Sequence, residues 1–398
     1  MRKAVRRLSR KTKTFTRRAA RFCLRRVFFP MVYRLACAAR KIDPKLIFFV
    51  NKGERAPGDN FRPLMERLTA QGYRCVHVGK MEGGRLRQYL EILRFNWDYA
   101  RARMVFLSEV CPLVDSVRPR KGTEIVQLWH GCGAFKKWGY STVDLSWGSS
   151  AATLKWFPAY RYQTWCSVSS PEVIPHYAQA FNCGEDIIRP WGVPRTDFYF
   201  RPGVAEDCHR KVLEAFPAIG QRKIVLYAPT FRGNSLRRAR HDDVLEYHAL
   251  AEALGERCAL LLKPHPQARR SIPAPEPGQT PFVFDAADQP IEVLLCAADL
   301  VISDYSSLIF EYALLGRPML FYAYDLERYE KSRSFYYPYL QFVPGDLVWD
   351  TDDMINGIRH NLFEGGFEPA RVQAFREKFM CACDGHSTER ILKHVLGI

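Results

Sequence analysis

The sequence contains no C-x-x-C pair, no glycine-rich phosphate loop or dinucleotide fingerprint, no apolar run near the ~20 residues that cross a bilayer, and no acidic residue before Asp43. Each absence removes a class. The 12 cysteines, at 23, 37, 75, 111, 132, 166, 183, 208, 258, 296, 381 and 383, are too scattered for a zinc ribbon or a compact disulfide scaffold. They read mostly as buried thiols of a reducing compartment. The missing glycine patterns argue against P-loop nucleotidases and ordinary dinucleotide-binding dehydrogenases. Near the N-terminus the apolar run 27–33 is interrupted by Pro30 and falls short of a signal-peptide core. A soluble, unsecreted body is expected.

What is present is a folded chain of 398 residues, 47% hydrophobic and 25% charged, long enough for two domains with a core each. Its net charge of +17 is unevenly held. Residues 1–41 carry 15 Lys and Arg and no carboxylate, leaving 44 basic against 42 acidic residues, or +2, in the rest. In this cationic arm Val5, Leu8, Thr12, Phe15, Ala19 and Phe22 recur every three or four residues among the cations, the pattern of a basic amphipathic helix. Such a helix suits an anionic membrane surface, with Phe28, Phe29, Met31, Val32 and Tyr33 extending the inserted part. A nucleic-acid arm, a mitochondrial-type transit peptide and an unpartnered tail are the alternatives. The nearly neutral body has no RNA- or DNA-binding motif, so no nucleic-acid partner is expected.

From residue 45 onward short apolar runs alternate with amphipathic stretches, the pattern of an α/β chain with parallel sheets. Strands are expected at 46–50, 74–78, 104–107, 124–129 and 164–168, with helices at 60–70, 85–102 and 171–181. After 191–195 the alternation restarts. Strands follow at 223–227, 259–262, 282–284, 300–302 and 319–321, helices at 204–216, 243–254, 290–296 and 307–315, and three helical stretches at the end. The expected divisions are the arm, 1–41, and two Rossmann-like domains, 42–200 and 201–398. The proline-rich stretch 273–281 reads as a surface loop. In such folds ligands gather on loops at the carboxyl ends of the strands.

The unusual residues fall on those loops. His130 sits at a strand tip beside Gly131 and Gly133, with Lys136 and Lys137 following. A neutral imidazole there can take a proton from an incoming hydroxyl while the lysines hold an anion; the plainer alternative is a backbone-bonded core histidine. Thr230 and Arg232, after the strand 223–227, offer a hydroxyl and a guanidinium to phosphate oxygens. In Lys263-Pro264-His265-Pro266 two prolines stiffen a histidine beside a lysine, which suits charge on a leaving phosphate. Asp304, Ser306 and Ser307 lead from a strand into a buried helix closed by Gly316, and a serine there can cap amides that bind anions. Glu311, that helix's one charge, needs a partner, either ribose hydroxyls or Arg317. Asp350-Thr351-Asp352-Asp353 has the D-x-D spacing of a metal site but precedes a helix, where Asp commonly caps, so no metal is expected.

Seven segments, in order over about 45–398, resemble a known family. They are Trp129-His130-Gly131 with Lys136-Lys137 and Gly139, Gly192-Val193-Pro194-Arg195-Thr196-Asp197, Tyr227-Ala228-Pro229-Thr230-Phe231-Arg232, Ser303-Asp304-Tyr305-Ser306-Ser307, Arg317-Pro318, Tyr324-Asp325-Leu326-Glu327-Arg328-Tyr329 and Asp384-Gly385-His386-Ser387-Thr388-Glu389-Arg390. The chain thereby resembles the CDP-glycerol:glycerophosphate glycerophosphotransferases, which make teichoic acids and related polyol-phosphate capsule polymers. The resemblance implies a GT-B fold, two Rossmann-like domains facing across a cleft, here preceded by the basic amphipathic helix. It implies attack of an acceptor hydroxyl on the β-phosphate of CDP-glycerol or CDP-ribitol, releasing CMP, with the CDP-polyol as substrate and no cofactor. In those terms His130 is the general base and His265 with Lys263 stabilises the leaving phosphate. Thr230, Arg232, Ser306 and Ser307 hold the diphosphate, Asp304 and Glu311 orient cytidine or ribose, and Lys136, Lys137 and Arg195 complete the substrate-binding set. Cys132 stands where relatives often have Thr, and Ala134-Phe135 where Pro-Leu is more usual, which puts acceptor identity in doubt. A lipid-linked or polysaccharide acceptor at the cytoplasmic face of the membrane would give the arm its role. The competing readings are a nucleotide-sugar glycosyltransferase of the same fold and a nucleic-acid-binding protein acting through its arm.

Overall fold

Uncharged runs rich in Val, Ile, Leu and Phe, rather than alternating ones, mark strands buried on both faces. The computed structural model describes residues 16, 18–51, 53, 55–232, 245–265 and 282–398. Strands β1 (Asp43–Val50), β2 (Arg74–Val78), β3 (Ala102–Leu107), β4 (Glu124–Gln127), β5 (Trp165–Ser167) and β6 (Ile188–Arg189) form a parallel sheet in the order β2-β1-β3-β4-β5-β6. A second parallel sheet contains β7 (Lys223–Tyr227), β8 (Cys258–Leu262), β9 (Val283–Asp285), β10 (Leu300–Ser303), β11 (Met319–Tyr322) and β12 (Asp346–Val348), in the order β12-β11-β10-β7-β8-β9. Along β1, Leu46, Phe48 and Val50 enter one core while Ile47 and Phe49 enter another, the two-residue period of a strand covered on both sides. Chain order reverses between β1 and β3 in the first sheet and between β7 and β10 in the second. The loops leaving those strands bound the crevices in which such sheets take ligands.

A third core runs between the lobes. The loop after β4 crosses to the second lobe, where Phe135 stacks on Phe335 (4.9 Å) and Phe342 (5.0 Å) and Lys136 pairs with Phe335 in an antiparallel bridge. Gly133 lies at φ +61°, where a Cβ would stand 2.1 Å from the Phe310 ring. The family-like segments around Gly192 and His386 explain each other. Asp197 accepts the amides of Ser387 (2.9 Å) and Thr388 (2.8 Å), capping the final helix Ser387–Leu396. That helix places Ile391, Leu392 and Val395 in the first lobe's core. The stretch 201–398, expected as one domain, therefore returns its tail to the other lobe.

Other departures are local. β4 stops at Gln127 instead of 129 because Trp129 turns to φ +56°. β6 and β12 were not anticipated; at two and three residues they carry too little pattern to read. Five helices, not three, follow β11: Leu326–Ser332, Tyr339–Phe342, Thr351–Phe363, Pro369–Met380 and Ser387–Leu396. The stretch 273–281 lies outside the described residues, as do Val5, Leu8, Thr12 and Phe15 of the arm. Residues 18–23 are helical and continue through a π-helical turn, Leu24–Phe28, into the helix Phe29–Ala39. Phe29 and Tyr33, expected to enter a membrane, are instead 3% and 2% exposed, with Tyr33 packed on Tyr99 and accepting the Arg120 amide at 3.0 Å. The cause is amphipathicity read on the wrong face: this stripe serves the protein's own core. Among the described residues no helix is long and apolar enough to cross a membrane.

Candidate active site

Trp129 adopts a left-handed backbone that is costly for a bulky residue. Two amide side chains hold it. Its N–H donates to Gln127 Oε1 (2.9 Å), and its carbonyl accepts from Asn60 Nδ2 (2.8 Å). The turn delivers His130, an exposed residue, to the cleft. His130 Nδ1 lies 3.3 Å from the Ser108 carbonyl, which can only accept, so Nδ1 carries the proton and Nε2 keeps its lone pair. The following carbonyls are tied as well, that of His130 by Arg195 Nη1 (2.8 Å) and that of Gly131 by the Tyr177 hydroxyl (3.0 Å). Surrounding protein mass, then the Arg195 charge, push the imidazole pKa down to about 4. The ring is neutral at pH 7, in the form that accepts protons.

At the switch point of the second sheet, Asp304 Oδ1 accepts the amides of Thr230 (2.8 Å) and Tyr305 (2.6 Å), and its Oδ2 accepts from Arg232 Nη1 (2.8 Å). Arg232 also donates to the Thr230 carbonyl (2.6 Å) and grips Asp325 through Nε (2.8 Å) and Nη2 (2.9 Å). Burial works against ionisation of Asp325, but its bonds to Arg232 prevail and hold it below the ordinary carboxylate range. Arg232, expected to grip a diphosphate, thus spends four of its five N–H donors inside the protein; a buried guanidinium must be paired, and here it fixes the Thr230 loop. Lys263 is committed in the same way, its Nζ donating to the carbonyls of Ala287 (2.8 Å) and Gln289 (2.5 Å). Thr230 Oγ1, by contrast, is buried without a hydrogen-bond partner. Ser306 Oγ accepts the Leu308 amide at 3.4 Å, and Ser307 stands at the N-cap without a side-chain cap bond.

Lys136 joins the two regions. Burial lowers its pKa to about 8 against the pull of Asp304, and its charge in turn lowers the pKa of both His130 and His265. One ammonium therefore stands within electrostatic reach of both histidines and of Asp304. His265 packs against Phe231 (4.8 Å), and burial is the larger cause of its lowered pKa. Lys137, expected beside Lys136, exerts its charge on His176 instead. Asp350 caps the helix Thr351–Phe363 by accepting the Asp353 amide (2.8 Å).

Glu311 corrects one alternative. Its Oε1 accepts from Arg195 Nη2 (2.6 Å) and its Oε2 from the Tyr199 hydroxyl (3.3 Å), whereas Arg317 donates to the carbonyls of Cys296 (2.8 Å) and Ala298 (2.7 Å). Arg195, expected to bind substrate, is a strut from His130's carbonyl to the second lobe. Beside it opens a cavity of about 360 Å³ whose walls include Phe198, Tyr199, Ile291, Glu292 and Glu311. Asn60 and Gln127 went unsingled in the sequence, and Asp325 stood in a quoted segment without a role, because each acts through one hydrogen-bonding side chain with no spacing to signal it.

The family described as CDP-glycerol:poly(glycerophosphate) glycerophosphotransferase matches residues 31–397. The teichoic acid ribitol-phosphate primase of Bacillus spizizenii is 33% identical over 372 residues, covering 91% of this chain and 94% of that protein. The teichoic acid glycerol-phosphate primase of Bacillus subtilis is 28% identical over 283 residues, 71% of this chain and 70% of that one. The solved structure of the wall teichoic acid polymerase TagF superposes with a TM-score of 0.74 at 19% identity, covering 97% of each chain, a likeness of fold. Two parallel Rossmann-like sheets around a shared cleft make the architecture GT-B. With fold and sequence in agreement along nearly its whole length, the chain is a transferase belonging to the CDP-glycerol:poly(glycerophosphate) glycerophosphotransferase family.

Proposed function

We propose that this chain transfers ribitol phosphate from CDP-ribitol to a hydroxyl of a lipid-linked or polysaccharide acceptor, releasing CMP. The observation that carries the reading is the loop after β4, which holds His130 and is bridged at Lys136 to Phe335 of the second lobe, so that the Lys136 charge bears on His130, His265 and Asp304. The acceptor hydroxyl gives its proton to His130 Nε2 as its oxygen bonds to the β-phosphorus. The bond from that phosphorus to the bridging oxygen breaks, and CMP leaves with the electron pair. Lys136, His265 and the hydroxyls of Thr230, Ser306 and Ser307 meet the charge of the diphosphate, while Arg232 and Lys263 hold their loops in shape. The orphaned Thr230 Oγ1 supports a ligand oxygen at that position.

The cavity beside Arg195 has the volume for a nucleoside. Glu311 has about four acceptor positions and uses two, which leaves room for ribose hydroxyls. Ribitol is favoured over glycerol because the relative matched over most of both chains is a ribitol-phosphate primase. In this reading no cofactor enters, and the enzyme works as a peripheral protein at the cytoplasmic face of the membrane, its arm on anionic lipid. The test supplies CDP-ribitol, CDP-glycerol and UDP-sugars with a soluble polyol-phosphate acceptor and reads CMP or UDP release. CMP from CDP-ribitol at the highest rate is expected; UDP release without CMP would replace the reading with sugar transfer.

A further inference from the structure

The loop that carries His130 is built into the second lobe as well as the first. The Gly133 amide donates to Ser169 Oγ (3.1 Å), and that hydroxyl donates in turn to the Phe379 carbonyl (2.7 Å) of the helix Pro369–Met380. Two residues on, the loop runs antiparallel to 334–336. The Lys137 amide donates to the Ser334 carbonyl (2.7 Å), and the Tyr336 amide donates to the Phe135 carbonyl (2.9 Å). The two halves of this ribbon belong to different lobes, so its hydrogen bonds fix where Lys136 stands relative to the loops of the second sheet. Just beyond it the hydroxyls of Ser141 and Tyr336 meet at 2.8 Å.

Tyr339, buried at the start of the helix Tyr339–Phe342, supports the ribbon. Its ring lies 6.0 Å from that of Phe135 with 22° between the planes, and packs on Phe335 (5.5 Å) and Tyr305 (5.2 Å). Its hydroxyl donates to the backbone carbonyl of Asp304 (3.0 Å). Burial, then the Asp304 charge, push the phenol pKa well up, so the hydroxyl keeps the proton it donates. Any buried tyrosine needs a partner for its hydroxyl. What gives this one a consequence is the pair it touches, since Phe135 adjoins Lys136 and the Asp304 carboxylate holds the Thr230 amide and Arg232. The charged and titratable groups that face Lys136 are Asp304, Arg232, Arg333 and His265, with His130 of its own loop, and Asp304 is the anion among them. Its attraction opposes the burial that brings the Lys136 pKa down to about 8. The separation of the two therefore sets how far the ammonium survives into alkaline solution.

We propose that Tyr339 is a positioning residue of the transfer reaction, a spacer that holds Lys136 of the crossing loop against Asp304 of the second lobe by packing on Phe135 and hydrogen-bonding the Asp304 carbonyl. Its effect on turnover rests on the transferase reading above; the spacing of Lys136 from Asp304 does not. The test compares full-length wild type with Tyr339→Phe, which keeps the ring and removes the hydroxyl. Without that donor the Asp304 loop relaxes away from Lys136 and the attraction between them weakens. The alkaline limb of kcat/KM for CMP release should then move down by a few tenths of a unit to one, and kcat/KM at pH 7 should fall about tenfold, chiefly through the donor KM. A second measurement needs no turnover. Acetylation of Lys136 by acetic anhydride, followed by mass spectrometry across pH, should show its midpoint moved down by the same amount. Phe135→Leu, which thins the stack and keeps the Tyr339 hydroxyl, should move the midpoint the same way by less, and serves if Tyr339→Phe does not fold. A midpoint that stays in place or moves up in the folded variant overturns the proposal, however much stability is lost, because Tyr339 then only fills the core. Should wild type release no CMP from any CDP-polyol while the midpoint still moves down, the transferase reading fails and the spacing stands.

Discussion

The two lobes share one plan, six parallel strands covered by helices, yet they fasten their working loops by opposite means. In the first, His130 is aimed largely by neutral bonds to the backbone, from Gln127, Asn60 and Tyr177 and to the Ser108 carbonyl, with Arg195 the one charged contact. In the second, a buried guanidinium between Asp304 and Asp325 locks the loops after β7 and β10. The difference suits the chemistry proposed for each lobe. A general base must stay neutral until it receives its proton, and dense packing beside fixed cations keeps it so. A lobe that receives an anion gains from carboxylates already neutralised, so that its remaining hydroxyls and amides meet the ligand without repulsion.

Removing the proposed base on the first side breaks the comparison most severely. His130→Ala should lower kcat for CMP release about 10³-fold, a barrier of roughly 4 kcal/mol, with the donor KM little changed. A kcat within tenfold of wild type would take the base role from His130. On the second side the expected failure is in folding. Asp325→Asn keeps the shape but leaves Arg232 short of a buried countercharge, and should cost about 3 kcal/mol in urea unfolding. Because Asp325 titrates below the usual carboxylate range, the stability it gives is full above the unfolded pKa and is lost as pH falls through the folded one. The variant should therefore lie closest to wild type in the most acid solutions. A stability equal to wild type at neutral pH would show that Asp304 alone satisfies the guanidinium.

How much of this could be read in the sequence depended on how many residues shared a signal. Strands such as β2 and β7 match their expected bounds because five consecutive residues leave one solution, whereas β6 and β12 are too short to show a period. The loop positions of His130, His265 and Asp304, just past the ends of their strands, were legible because the strand bounds were. Which cations face the ligand was not visible. Arg232, Lys263 and Arg195 have the chemistry for phosphate, but burial turned each toward carbonyls or carboxylates of the protein itself. Phe29 and Tyr33 show the same limit in the arm, since an apolar stripe does not say whether lipid or the chain's own core will cover it.

Lys136 offers the finest test of the contrast, because it belongs to the first lobe by sequence and acts on groups of both. As pH rises past about 4, His130 loses its proton and activity should climb; past about 8 the Lys136 ammonium is lost and donor binding should decline. The kcat/KM profile is then a bell with those limbs. Lys136→Arg keeps the charge to far higher pH, so its alkaline limb should move up by more than a unit. Lys136→Met removes a cation that holds both imidazoles down, so the acid limb should also move up, by a few tenths of a unit to one. An alkaline limb that stays near pH 8 in the arginine variant would assign that titration to another group and leave the two lobes without their shared charge.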